Sequence, residues 1–184
     1  MDFGKLKKVA AFVILRGQCG MAIDTKFKTY AAACRENGIP FGVYCYSKAT
    51  TTAEAREEAQ EFWDNTHEYE PKFYCMDAET ANCSAAIIKA FAEKMRSCGA
   101  KKLGCYVAHH MYSTYKFDTV RDLFDFVWIP RYAGDDVGQP TGKLPNYECD
   151  LWQYTEKGKC EGVSGNCDLN KITGTGKGLS WFIS

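Results

Sequence analysis

Lys72-Phe-Tyr-Cys-Met-Asp-Ala-Glu79 is an apolar run that climbs to two carboxylates and stops at Thr80. Read as a strand, its alternate residues share a face, so Asp77 and Glu79 point the same way, about 6.6 Å apart along the backbone. Two acids at a strand's exit suit general acid/base work, because mutual repulsion and burial can hold one protonated while the other stays ionised. A solvated strand end carries the same pattern, and D-x-E is short enough to arise by chance, so the surrounding chain has to decide.

On either side lie similar runs. Val9-Ala-Ala-Phe-Val-Ile-Leu15 reads as a strand buried on both faces, ended by Arg16 and Gly17. Phe41 to Ser47, Lys102 to Ala108 and Phe126 to Ile129 are further strands, the last leading to Pro130, Arg131 and Tyr132. Helices fall between them. Residues 25–37 carry Phe27, Tyr30, Ala31 and Cys34 at helical spacing, and Gly38 and Pro40 stop them. Thr51 or Thr52 caps a helix to about Asn65, with Ala53, Ala59, Phe62 and Trp63 facing inward and Glu54, Arg56, Glu57, Glu58 and Glu61 facing water. Asn82 or Ser84 caps a third helix that Gly99 closes, and Val120 to Phe124 suggests a short fourth.

Strand starts near 9, 41, 72 and 102 recur at about 30 residues with a helix between each pair, the βαβ rhythm of a parallel sheet. After residue 129 that rhythm breaks. A polar loop, Ala133 to Tyr147, leads to a strand at Cys149–Tyr154, a hairpin turn at Glu156-Lys-Gly-Lys159, a turn and short strand over Val163–Asn170, and a tail loosely held up to Trp181 and Phe182. In parallel barrels, sites lie at the C-terminal strand ends. Asp77 and Glu79 lie there, as do Arg16, Tyr46, Tyr106, Tyr132 and Tyr154. An acid pair ringed by tyrosines and an arginine fits a carbohydrate groove.

The bulk numbers agree. With 184 residues, the chain is long enough for one domain with a sizeable core, and residues 1–184 read as a single unit. Its 23 basic and 23 acidic residues leave no net charge, which argues against a sequence-independent nucleic-acid binder. No apolar run approaches the roughly 20 residues that span a bilayer, and Met1 to Lys8 lacks the apolar region of a signal peptide. None of the ten cysteines forms a C-x-x-C pair, and His67, His109 and His110 lack ligand spacing, so no metal or other cofactor is expected. Most of the cysteines read as free thiols. Cys149, Cys160 and Cys167 are the disulfide candidates if the protein is exported.

Taken together, the stretches Phe12-Val-Ile-Leu-Arg-Gly17, Asp24 with Phe27, Gly38 to Ser47, Met76-Asp-Ala-Glu79, Gly104-Cys-Tyr106, Trp128-Ile-Pro-Arg-Tyr132, Asp150-Leu-Trp-Gln-Tyr-Thr155 and Gly162 to Asn170 resemble the glycoside hydrolase family 25 lysozymes. These are N-acetylmuramidases of the Chalaropsis type, which include phage endolysins and autolysins. The stretches run in the family's order over nearly the whole chain.

The resemblance implies an α/β fold, a flattened, irregular TIM-like barrel of (β/α)5β3 type with a terminal β-section. It implies cleavage of the β-1,4 bond between N-acetylmuramic acid and N-acetylglucosamine in peptidoglycan glycan strands, hence action on the bacterial cell wall. By motif position Glu79 is similar to the family's general acid. Asp77 is similar to its partner carboxylate, which steadies the substrate's N-acetyl group or the developing positive charge. Arg16, Tyr44, Tyr46, Tyr106, Tyr132, Trp152 and Asp168 match positions lining the groove, although core packing would equally account for Tyr44 and Trp152.

There are two departures from the family. Cys45 stands where it often has His. Its usual opening strand, G-[IV]-D-V-S-x-x-Q-G, with another groove acid, is not found: Met1-Asp-Phe-Gly-Lys-Leu-Lys-Lys8 aligns with the segment after it. That reading expects an open seam, and a monomer or a dimer that exchanges strands through it. It also keeps open a non-catalytic peptidoglycan-binding module and, more remotely, another sugar-processing barrel.

Overall fold

The computed structural model describes residues 1–184. Its first element is a helix, α1 (Phe3–Val9), where the strand reading had already begun at Val9. Asp2 caps it by accepting from the Lys5 amide at 3.0 Å, and Leu6 is its one buried residue. The strand follows as β1 (Val13–Cys19) and runs through Arg16 and Gly17 instead of ending there. Gly17 lies close against Thr66 and Phe62, where a larger side chain would not fit. Gln18, fully buried, is satisfied by donating to the Glu58 carbonyl at 3.0 Å.

The chain continues as β2 (Ala22–Ile23), α2 (Phe27–Asn37), β3 (Phe41–Tyr46), α3 (Thr52–Thr66), β4 (Tyr74–Ala78), α4 (Ala85–Cys98) and β5 (Leu103–Val107). Gly38 and Gly99 end α2 and α4 in the left-handed conformation. Thr51 forms a full capping box with Glu54 at the start of α3, and Ser84 caps α4. The short helix read over Val120 to Phe124 is instead a 3-10 turn at Arg121–Leu123, preceded by another at Phe117–Thr119. Then come β6 (Phe126–Pro130), β7 (Leu151–Gly158), β8 (Cys167–Ile172) and α5 (Leu179–Ile183).

One curled sheet holds all eight strands in the order β2-β1-β3-β4-β5-β6-β7-β8. From β1 to β7 the pairs are parallel, and β2 and β8 add antiparallel edges. The sheet stays open: β2 covers only Gln18 and Cys19 of β1, and β8 is the opposite edge. A cavity of about 310 Å³ along the β1 edge is lined by Ile14, Arg16, Asp24, Phe27 and Tyr30 among others.

Strand alternation gives the sheet two apolar faces. Val43, Cys45, Met76, Ala78, Cys105, Val107 and Ile129 pack outward against the helices. Phe73, Cys75, Tyr106, Phe126, Trp128 and Leu151 fill the concave face. Gly42 and Gly104 make room there, because a β-carbon at either would run into the ring of Phe73 or Phe126.

Three expectations are corrected. Glu58 does not face water; it is buried, and its carboxylate accepts from Ser47 Oγ at 2.6 Å and the Lys48 amide at 2.9 Å. Residues 156–159 do not turn the hairpin, because Asp136 accepts from Thr155 Oγ1 and the Glu156 amide and keeps β7 extended to Gly158. Before Trp181 the tail is tied by the Lys177 amide, which donates to Asp150 at 2.7 Å. It ends with Phe182 fully buried in the concave face. All ten cysteines are free thiols, Cys149, Cys160 and Cys167 included. No helix is long and apolar enough to cross a membrane.

Candidate active site

The parallel register builds a row of side chains across the concave face. Tyr46 of β3 pairs with Asp77 of β4, Asp77 with Tyr106 of β5, Tyr106 with Trp128 of β6, and Trp128 with Leu151 of β7. In parallel strands, paired residues project to the same side. The row therefore places Asp77 between two tyrosines near the C-terminal ends of the strands, with Glu79 one step beyond the end of β4 on the same face.

The two acids sit in different surroundings. Asp77 is 7% exposed, and its Oδ1 has no hydrogen-bond partner. Burial, then the charges of Glu79 and Asp168, push its carboxyl well above the ordinary carboxylate range, against the pull of Arg16. Glu79 is exposed at the rim. Desolvation by the groups around it, then Asp168, raises its carboxyl, and His110 opposes the rise. Asp168, on the antiparallel edge strand β8, shares its side of the sheet with Asn170, which pairs with Gln153. Desolvation and Glu156 raise Asp168 in turn.

Arg16 projects from β1 and holds Asp24 through a 2.8 Å contact from Nε to Oδ2. Tyr44 is half-buried, its ring edge-on to Trp128 at 6.3 Å. Tyr46 is also half-buried, its phenol raised by burial, then by Glu79 and Asp77. Tyr106 packs edge-on against Trp128 at 4.8 Å. Its hydroxyl donates to Gln153 Oε1 at 3.0 Å, and the Tyr132 hydroxyl donates to the same oxygen at 2.5 Å. Trp128 Nε1 donates to Asn170 Oδ1 at 2.8 Å, which ties β6 to β8 across β7.

Arg16, Tyr44, Tyr46, Asp77, Glu79, Tyr106, Tyr132 and Asp168 thus converge on one cleft. Trp152 does not join them. It pairs with Ile129 on the outer face, is 5% exposed, and donates its indole N–H to the Arg131 carbonyl at 2.8 Å. Tyr154 lies beside it, ring centroids 5.8 Å apart, and also turns away from the acids. Gln153, Trp128 and Asn170, by contrast, belong to the cleft floor although sequence reading assigned them no role. The available signal was a glutamine set between two aromatics, Trp152 and Tyr154, at the start of the strand.

The arrangement provides a buried carboxyl with a free oxygen, an exposed carboxyl able to hold a proton above its usual range, and aromatic rings for a sugar to lie against. No group of three or more His, Cys, Asp or Glu side chains is placed to hold a metal ion.

A sequence profile of glycosyl hydrolases family 25 matches residues 1–163. Solved structures share the fold. A glycosyl hydrolase 25 of Streptococcus pneumoniae, described as the virulence factor GHIP participating in host cell invasion, superposes with a TM-score of 0.90 at 27% identity, covering 99% of this chain and 85% of that one. The catalytic domain of endolysin ply40, from bacteriophage P40 of Listeria monocytogenes, superposes at 0.87 and 26% identity, covering 94% and 87%. A bacterial lysozyme from Streptomyces coelicolor shares the fold at 0.74 and 18% identity, covering 95% and 87%. No curated protein matches the chain by sequence.

Proposed function

The chain belongs to glycosyl hydrolases family 25, and from that membership we propose that it cuts the β-1,4 bond between N-acetylmuramic acid and N-acetylglucosamine, with Glu79 as general acid and Asp77 as assisting carboxylate. It is a glycoside hydrolase whose family and structural neighbours support peptidoglycan as the substrate. The bond and the residue roles are our reading.

The observation that carries it is the contrast between the two acids. A general acid must be protonated near its working pH and reach the leaving oxygen. Both carboxyls are raised, Asp77 the more strongly, so it is position that assigns the acid: Glu79 stands on the exposed rim, where a leaving oxygen can meet it, and Asp77 is buried. An assisting carboxylate must meet a donor that the protein does not supply, and Asp77 keeps a buried oxygen with no partner. The amide N–H of a substrate N-acetyl group is such a donor. As Glu79 protonates the departing glycosidic oxygen, positive charge develops at the anomeric carbon. Asp77 then stabilises it, through the N-acetyl group or directly.

Arg16, Tyr44, Tyr46, Tyr106, Tyr132 and Asp168 line the cleft on this reading, with Trp152 behind it as packing. The reaction needs no cofactor, and the site of action is the bacterial cell wall. The assembled state is a monomer or a dimer that exchanges strands through the open β1 edge; sedimentation distinguishes them. The test of function is Glu79→Gln: release of reducing ends from purified peptidoglycan should be abolished in a variant with an unchanged melting profile. Full activity in that variant overturns the acid assignment.

A further inference from the structure

Charge around the buried acid is lopsided. Glu79 beyond its own strand and Asp168 from β8 act on Asp77 as like charges, and Arg16 from β1 is the cation that opposes them. The sheet order sets the sides. β1, β3 and β4 are neighbours, Arg16 pairs with Tyr44, Tyr44 pairs with Cys75, and Asp77 is two residues on from Cys75 on the same face. The α-carbons of Arg16 and Asp77 are therefore about 10 Å apart across the sheet and about 7 Å apart along it. Arg16 does not bond Asp77; its Nε donates to Asp24 Oδ2 at 2.8 Å.

Asp24 aims that guanidinium. Its amide donates to the Gly17 carbonyl at 2.9 Å, and its Oδ1 accepts from the Lys26 amide at 2.9 Å, so both its backbone and its carboxylate are held. A guanidinium carries five N–H donors. One is committed to Asp24, and those on Nη1 and Nη2 have no partner in the protein. Their planar fork matches a carboxyl group. Beside it lies the cavity of about 310 Å³ at the open β1 edge, which Arg16 lines together with a second cation, Lys26. The one carboxylate in that cavity is Asp24, already paired.

On the reading given above, the free Asp77 oxygen takes the N–H of an acetamido group on C2 of the sugar. N-acetylmuramic acid differs from N-acetylglucosamine by a lactyl ether on the adjacent carbon, C3, that ends in a carboxyl group. That group is a carboxylate in peptide-free strands and an amide carbonyl where a peptide is attached. It leaves the sugar beside the acetamido group. Toward β8 it would approach Asp168, a like charge. Toward β1 it meets the open fork of Arg16.

We propose that Arg16, aimed by Asp24, distinguishes N-acetylmuramic acid from N-acetylglucosamine at this site by donating to the lactyl carboxyl, and that the cavity beyond it holds the chain which that carboxyl carries. This rests on the muramidase reading, with Asp77 as the assisting carboxylate.

The test uses two soluble glycans. One is peptide-free strands prepared from purified peptidoglycan with an amidase, and the other is the same strands with the lactyl carboxyl chemically reduced to an alcohol. The readout is the ratio of kcat/KM on the first to kcat/KM on the second. The parent should prefer the carboxylate about tenfold, the scale of one charged hydrogen bond. In Arg16→Gln the ratio should fall to about one. In Arg16→Lys, which keeps the charge and loses the fork, it should lie between. Asp24→Asn has one acceptor oxygen for two donors, the Lys26 amide and Arg16 Nε, and should lower the ratio as well. A general loss of activity, through folding or through Asp77, moves both substrates alike and cancels in the ratio.

An Arg16→Gln protein that keeps the parent's ratio overturns the proposal. So does a parent that cleaves both glycans equally well, an outcome that needs no variant to fold. Both leave the muramidase reading standing. A parent that releases no reducing N-acetylmuramic acid from the carboxylate glycan overturns that reading and the proposal with it.

Discussion

Asp77 and Glu79 leave one strand on one face, yet Asp77 is buried with a free oxygen while Glu79 stands exposed at the rim. The enzyme therefore holds an unsatisfied carboxyl in its interior, and a thermodynamic cost follows from it.

The folded chain binds the Asp77 proton more tightly than the unfolded chain does, because its carboxyl is raised by burial, Glu79 and Asp168. Its contribution to stability is fully present below the unfolded value of about 3.9 and is lost as pH rises through the folded value. Asp77→Asn removes the charge that has to be buried. The variant should melt a few degrees above the parent at pH 7, with the gap closing toward pH 4. A variant that melts lower at pH 7 contradicts this.

For activity, the sign applies to Glu79 as an acid. Protonated Glu79 is the working form, so kcat falls as pH rises through its pKa. Because that carboxyl is raised, the basic limb should lie above the ordinary glutamate value of about 4.3. Asp168 is the second cause of the rise, so Asp168→Asn should move the basic limb to lower pH. A pH–rate series on the two proteins checks both directions.

Glu58 anchors the loop after β3 through Ser47 and Lys48. Glu58→Ala orphans a buried hydroxyl and an amide and should cost about 2 kcal/mol in urea unfolding. Glu58→Gln keeps an acceptor oxygen and should cost less.

At the other end of the chain, Phe182 stacks on Phe12 at 5.4 Å and 9° and closes the floor beneath the site. Phe182→Ala should lower stability by about 3–5 kcal/mol, read from the urea midpoint. A loss under 1 kcal/mol would mean the tail contributes little to the core.

The acid pair was legible because strand alternation is a local rule, and the helix ends because Gly38 and Gly99 carry local signals. Glu58 was misread by its charge, although its spacing from Ala55 and Phe62 places it on the buried stripe of α3. What satisfies it there, the Ser47 hydroxyl and the Lys48 amide, is tertiary and invisible in the helix itself. Trp152 and Gln153 are adjacent in sequence, and only the register of β7 against β6 shows which of them faces the cleft. The burial of Phe182 depends on Phe12, 170 positions away along the chain, a distance over which composition and periodicity say nothing.

The central claim is the pairing of Glu79 with one particular bond. Its most direct test is mass spectrometry of fragments released from purified Gram-positive peptidoglycan by the parent chain beside Glu79→Gln. The parent should release fragments ending in reducing N-acetylmuramic acid, and the folded variant none. Fragments ending in reducing N-acetylglucosamine, or equal release by both proteins, would contradict it.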